Sequence, residues 1–301
     1  MRDGAEFHKT LGERYRSFED KLDETQPNDT RQLWHTPTEL FRPYYAEAMA
    51  RYFVTNYKIS LYPYHDLIIY ELGAGNGTFM LNVLDYIRDT DPEVYARTKY
   101  KVVEISPALA KLQNKRIQNT AESRGHANKV EIINRSIFNW DIYVSSPCFF
   151  LALEVIDNFA HDIIRYNVTT EEPYQGSVLI DTKGDFYEFY SPEIDPVAAR
   201  FFRVREAACS VPYRHPLRGW WRLRNLLAKL PFAPNLSEPE YIPTRLMQFF
   251  DVLHRYFPAH RLLASDFHSL PGSVPGINAP VVQTRYKRRT VAVTTPLVGV
   301  C

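Results

Sequence analysis

Apolar residues along this chain recur at two spacings, and each switch between them marks a change of element. After Pro43, residues Ala46, Met49, Ala50, Phe53 and Val54 fall at i, i+3, i+4, i+7 and i+8, which predicts a helix Tyr44–Asn56 with one face turned inward. From Asp66 onward, short apolar runs alternate with helical stretches, the pattern of a parallel sheet flanked by helices. The runs Leu67–Leu72, Tyr100–Ile105, Val130–Ile133, Cys148–Leu153 and Ser177–Asp181 are the expected strands. Met80, Val83, Leu84 and Ile87 mark a helix between the first two, and Pro107–Ser123 a helix between the next two.

The alternation stops at Ser191. A helix is expected over Asp195–Glu206, followed by a basic aromatic run Arg214–Asn225 and the segment Pro231-Phe232-Ala233-Pro234. A helix Pro243–Tyr256 then carries Leu246, Phe249, Phe250 and Leu253 on one face. Beyond it come strand-like Arg261–Ser265, a Pro/Gly loop Pro271–Pro280, and two β-rich runs, Val281–Tyr286 and Thr290–Thr295. The organisation expected is a polar lead-in and helix over 1–65, an α/β core over 66–190, a helical insertion over 191–259 that takes part in substrate binding, and strands completing the sheet over 260–301.

Composition removes whole classes. With 45% hydrophobic and 24% charged residues among 301, the chain has none of the bias of disordered or fibrous sequences. Lys+Arg of 36 against Asp+Glu of 35 leaves no global field to attract nucleic acid or anionic membrane, so no nucleic-acid partner is expected. No apolar run approaches the ~20 residues of a membrane helix, so no membrane insertion is expected. Cys148, Cys209 and Cys301 lack a C-x-x-C spacing, which argues against a disulfide framework or a zinc site. The first twenty residues are too acidic for a transit peptide, with Asp3, Glu6, Glu13, Glu19 and Asp20 among them.

The chemistry concentrates where the first strand ends. Ile68-Ile69-Tyr70-Glu71-Leu72 runs into Gly73-Ala74-Gly75-Asn76-Gly77-Thr78 and then a helix. Glycine at every second position lets backbone approach a ligand closely at the carboxyl end of a strand, where open α/β sheets bind ligands. A phosphate loop would need Gly-Lys-Ser/Thr, which is absent, and a dinucleotide fingerprint G-x-G-x-x-G, whereas the register here is G-x-G-x-G. With Glu71 two positions before Gly73, the stretch resembles the first motif of S-adenosylmethionine-dependent methyltransferases. The second strand ends Val102-Val103-Glu104-Ile105-Ser106, which puts a carboxylate where ribose hydroxyls would lie.

Three stretches together, Glu71–Thr78, Val103-Glu104-Ile105-Ser106-Pro107 with Leu109 and Gln113, and Leu153-Glu154-Val155-Ile156-Asp157-Asn158-Phe159, resemble the MidA family of mitochondrial and bacterial methyltransferases. The resemblance covers roughly Tyr44 to Thr295, and in place of a Gly-Asp-Phe-x-Thr-type segment before the first helix this chain has Trp34–Phe41, as a divergent branch would. It implies a class I, Rossmann-like α/β fold with a mainly parallel central sheet, an N-terminal helical segment and an inserted helical subdomain. It also implies S-adenosyl-L-methionine as cofactor, no metal, the mitochondrial matrix as location, and symmetric dimethylation of an arginine on a respiratory complex I subunit during assembly. By motif match, Glu71, Gly73, Gly75 and Gly77 would line the methionine part of the cofactor, Glu104 with Ser106 the ribose, and Ser136, Ile137 and Phe138 the adenine. Glu154 and Asp157 would be the catalytic carboxylates beside the acceptor. The chain stops in a β-rich stretch, so it is expected to be shorter than the family at one or both ends. A non-catalytic cofactor-binding assembly factor and a small-molecule methyltransferase are the alternative readings. His161-Asp162, adjacent in sequence, do not face each other well enough to serve as a base and its orienting acid.

Overall fold

The computed structural model describes residues 36–208, 215–217, 230, 232–267, 283–286 and 289–292. The lead-in, most of the run Arg214–Asn225 and the loop Pro271–Pro280 lie outside the described residues. The chain divides into two compact units, Met1–Ile156 with Asp251–Asp266, and Asp157–Phe250 with Phe267–Cys301.

The first unit is an α/β sandwich. Its elements are helices α1 (Pro37–Leu40) and α2 (Tyr44–Ser60), strand β1 (Leu67–Leu72), helices α3 (Thr78–Thr90) and α4 (Pro92–Ala96), and strand β2 (Thr98–Glu104). Helices α5 (Pro107–Gln118) and α6 (Thr120–Ser123) and strands β3 (Val130–Asn134) and β4 (Cys148–Leu153) follow, and β9 (His260–Ser265) returns from later in the chain. All pairings are parallel in the order β3-β2-β1-β4-β9. The sequence therefore walks outward from β1 through β2 to β3, then comes back to β4 on the other side of β1. That reversal is a topological switch point, and open α/β sheets bind ligands at the carboxyl ends of the strands flanking it.

Both sheet faces are covered, which is why β1 and β4 read as continuous apolar runs. On one face Ala46, Ala50, Phe53 and Tyr57 of α2 and Phe79, Val83, Leu84 and Ile87 of α3 pack on Leu67, Ile69, Phe149 and Leu151. Each large apolar side chain among them, taken fully out of water, contributes about 1.5–3 kcal/mol. The other face carries an aromatic cluster in which Phe257 lies 5.1 Å from Tyr70, 5.2 Å from Phe150 and 5.0 Å from Trp140. The expected helix Pro107–Ser123 is broken at Asn119, which adopts an extended backbone and caps α6 by accepting from the Glu122 amide at 3.4 Å.

The second unit holds an antiparallel sheet, ordered β7-β6-β5-β8, of strands β5 (Asp162–Tyr166), β6 (Pro173–Ile180), β7 (Phe186–Ser191) and β8 (Glu240–Ile242). Ser177–Asp181 therefore belongs largely to β6 and not to the parallel sheet, whose fifth strand is β9. The reason is local: the Asp181 carboxylate accepts from the Lys183 and Asp185 amides, and Gly184 takes φ +87°, so a tight turn folds β7 back onto β6. A short apolar run such as Val178-Leu179-Ile180 has no periodicity that separates a hairpin strand from a buried parallel one. Helix α7 (Pro196–Ala208) buries Ala198 with Ile164, Tyr166 and Ile242 and packs Phe201 and Phe202 against them. Helix α8 (Thr244–Tyr256) leads to β9, and β10 (Gln283–Tyr286) pairs with β11 (Arg289–Ala292) as a hairpin. No helix among the described residues is long and apolar enough to cross a membrane.

Candidate active site

The loop between β1 and α3 is built on backbone that side chains resist. Gly73, Gly75 and Gly77 have φ of +67°, +51° and +75°, the left-handed region that glycine alone adopts freely. A Cβ added at Gly75 would meet nothing within 4 Å, so the loop presents open backbone there. Gly77 starts α3 without a side-chain cap, and the next residue, Thr78, donates its hydroxyl to Glu39 of α1 at 2.5 Å.

Helix α5 fastens the loop to the tip of β2. The Gln113 amide donates to the Gly75 carbonyl at 2.8 Å and to Glu104 at 3.3 Å, and Arg116 donates to the Asn76 carbonyl at 2.6 Å. Glu104 is 3% exposed and also accepts from the Ser106 amide at 2.9 Å, while the Ser106 hydroxyl caps α5 through the Leu109 amide. Gln113 enters the sequence reading among the residues that carry the family resemblance, though with no role given to it, and it sits in the buried stripe Ala110, Gln113, Ile117 of α5, whereas Arg116 carries no signal in the sequence.

The other candidates sort by position. The Arg135 amide donates to the Glu104 carbonyl at 3.0 Å, which brings the exit of β3 beside the tip of β2. One residue later Ser136 caps the turn Ile137–Asn139 by accepting from the Phe138 amide, with Ile137 buried. Glu154 follows β4 across the switch point from the glycines, with its own backbone at φ +55° and its amide donating to the Ser265 carbonyl at 2.8 Å. A Cβ on Gly73 would lie 3.4 Å from Val155 Cγ2, so the loop and the Glu154 segment are neighbours. Asp157 lies in the second unit, in the turn Ile156–Asn158, where its carboxylate accepts from the Asn158 side chain at 2.7 Å. His161 points Nδ1 at the Phe159 carbonyl, while Asp162 accepts from Gln175 and Thr244.

Glu71 is the outlier in environment. It is buried, accepts a 2.8 Å hydrogen bond from the Tyr100 hydroxyl, and burial pushes its carboxyl up to about 7 against the opposing pull of that bond. Its carboxyl therefore sits in the packed layer behind the loop.

These residues fit an adenosyl cofactor. The glycine cradle leaves its backbone open, a carboxylate stands at the adjacent strand tip, and Gln113 Oε1 between them is buried without a hydrogen-bond partner among the described residues. Residues 48–300 match the family described as "Putative S-adenosyl-L-methionine-dependent methyltransferase". The chain belongs to this family. The family's cofactor is S-adenosyl-L-methionine. A Schizosaccharomyces pombe relative, named protein arginine methyltransferase NDUFAF7 homolog, mitochondrial, is 26% identical over 253 residues, 80% of this chain and 52% of that protein. The chain thus spans about half the length of the curated relative it matches. Among solved structures, a Burkholderia thailandensis protein bound to S-adenosyl-homocysteine aligns over 56% of this chain and 39% of its own, with 21% identity and a TM-score of 0.42. The magnesium protoporphyrin IX methyltransferase of Synechocystis PCC 6803 aligns over 51% of this chain and 57% of its own, with 12% identity and a TM-score of 0.29.

Proposed function

We propose that this methyltransferase acts on arginine side chains of a protein, in mitochondria, with a respiratory complex subunit as acceptor. The observation that carries the reading is Glu154, a carboxylate on left-handed backbone directly across the switch point from the glycine loop. The name of the fission-yeast relative supports the arginine acceptor and the compartment.

Gly73, Gly75 and Gly77 would hold the methionine part of the cofactor, with Glu71 behind them. Glu104 and Ser106 would hold the ribose, and Ser136, Ile137 and Phe138 the adenine. When bound, S-adenosylmethionine supplies a methyl group on a positively charged sulfur. The chain's task is then placement, because holding two reactants in line replaces an improbable collision by an intramolecular one.

A guanidinium is protonated at neutral pH and a poor nucleophile. A carboxylate that accepts N–H bonds from two of its nitrogens draws the positive charge toward them and frees the lone pair of the third. Glu154 fills that role in the proposal, and Asp157, three residues on in the sequence, is the second carboxylate. The guanidinium proton released on transfer passes to a Glu154 carboxylate oxygen and from there to solvent.

The test is transfer of radiolabelled methyl from S-adenosylmethionine to mitochondrial protein by the purified chain, followed by acid hydrolysis and amino-acid analysis. Label in dimethylarginine, absent with Glu154→Gln, is the expected outcome. Label confined to low-mass compounds would make the acceptor a small molecule, and cofactor binding without any transfer would make the chain a non-catalytic binder.

A further inference from the structure

We infer that the outer edge of β7 is a docking edge for an extended, basic segment of another protein, bound by strand addition. This goes beyond the methyl acceptor proposed above and does not rest on it.

β7 is the last strand of its sheet: it pairs with β6 on one side, and among the described residues no strand pairs with its other side. A sheet edge presents unpaired N–H and C=O groups, which natural proteins blunt with charged side chains, lysine above all, with proline or with a bulge. Phe186-Tyr187-Glu188-Phe189-Tyr190-Ser191 contains neither lysine nor proline, and it pairs with β6 in unbroken register from Gln175↔Ser191 to Ile180↔Phe186. The edge is open.

Its side chains state what would bind. Leu179, Ile180, Phe186, Tyr187 and Phe189 are each 47–58% exposed, a large apolar area to leave in water. Cross-strand partners share a face, so Leu179 lies with Tyr187 and Phe189, and Ile180 with Phe186 and Glu188. Along β6, β7 and their turn the charge is acidic: residues 173–195 hold Asp181, Asp185, Glu188, Glu193 and Asp195 against the single Lys183, in a chain whose net charge is +1, while Arg165 of β5 reaches over the Tyr190 ring. A second copy pairing β7 with β7 would set this acidic segment against itself, which like-charge repulsion disfavours. A segment alternating apolar and basic residues matches instead, with apolar side chains on the Tyr187–Phe189 face and basic ones on the Glu188 face. The side-chain and backbone bonds of the Asp181–Asp185 turn set the start of β7 in place beforehand, so less order has to be gained on binding.

The test is fluorescence anisotropy of a labelled ten-residue peptide of alternating valine and arginine, titrated with the full chain in the absence of cofactor. Two control peptides carry glutamate for arginine, or N-methyl groups on every second residue, which block strand pairing and keep the charge. The proposal predicts saturable binding that weakens at least about tenfold for each control peptide and for the Asp185→Lys/Glu188→Lys variant. Absence of binding, equal binding of the N-methylated peptide, or binding untouched in the folded double variant overturns it. So does sedimentation showing a dimer of the chain that the double variant dissociates, since a second copy would then hold the edge. The N-methylated peptide needs no variant, so the proposal stays open to refutation even if the double variant does not fold. No methyl transfer is read, so this result and that of the acceptor test are separate.

Discussion

The side-chain amide of Gln113 donates to the backbone carbonyl of Gly75 at 2.8 Å, and through the same nitrogen to Glu104 at 3.3 Å. One helix residue thereby fixes the glycine loop relative to the acid at the tip of the neighbouring strand. Preorganisation of this kind shows in affinity: a hydrogen bond worth about 1–1.5 kcal/mol corresponds to roughly tenfold in a dissociation constant. Gln113→Met, which keeps the volume in the buried stripe of α5, is expected to weaken S-adenosylhomocysteine binding by about that factor while the melting temperature moves by only a few degrees. Calorimetric titration and a thermal melt of the same sample check it. Unchanged affinity would mean that the loop holds its shape without the helix.

Glu71 gives a pH signature. Its folded-state carboxyl is raised from 4.5 to about 7 by burial, so between those values the folded chain binds more protons than the unfolded one. Stability from this group is therefore fully present below about pH 4.5 and is lost as pH rises toward 7. The loss comes to roughly 3 kcal/mol, because each tenfold difference in proton affinity between the folded and unfolded chain is worth about 1.4 kcal/mol. Urea unfolding of wild type and Glu71→Gln across pH 5 to 8 should show the variant gaining on wild type as pH rises. Parallel curves would place the carboxyl in contact with solvent.

Glu154, the carboxylate proposed to hold the acceptor, stands on strained backbone. A non-glycine residue at φ +55° costs about 1 kcal/mol, which glycine relieves in part. Glu154→Gly is expected to leave stability unchanged or raise it by up to about 1 kcal/mol, to retain S-adenosylhomocysteine binding, and to lower methyl transfer at least a hundredfold. A destabilised variant that remains active would remove Glu154 from the acceptor site.

How much of this was legible in the sequence depends on the range of the interaction. The loop Gly73–Gly77 announces itself because left-handed backbone needs glycine in the chain, and the strand before it and helix after it follow from local periodicity. Helix α2 was visible for the same reason, though it runs on to Ser60. The pairing of Glu71 with Tyr100, 29 residues apart, and of Gln113 with Gly75, 38 apart, depends on how strands and helices stack, which no local spacing records. The second sheet escaped because Val178-Leu179-Ile180 looks like any buried strand until the turn at Asp181–Gly184 is seen to reverse it. The run Arg261–Ser265 is legible as a strand that completes the sheet, and β9 is that strand, but its place beside β4, reached only after the chain has passed through the second unit, is not written in sequence order.

Gly73–Gly77 and Glu104 are proposed to hold the cofactor together. Calorimetric titration of S-adenosylhomocysteine into the purified chain, with Gly75→Arg and Glu104→Ala alongside, tests this most directly. One saturable site is expected, abolished by the arginine that fills the open space at Gly75 and weakened at least tenfold by loss of the Glu104 carboxylate. Wild-type affinity in both folded variants would place the cofactor elsewhere.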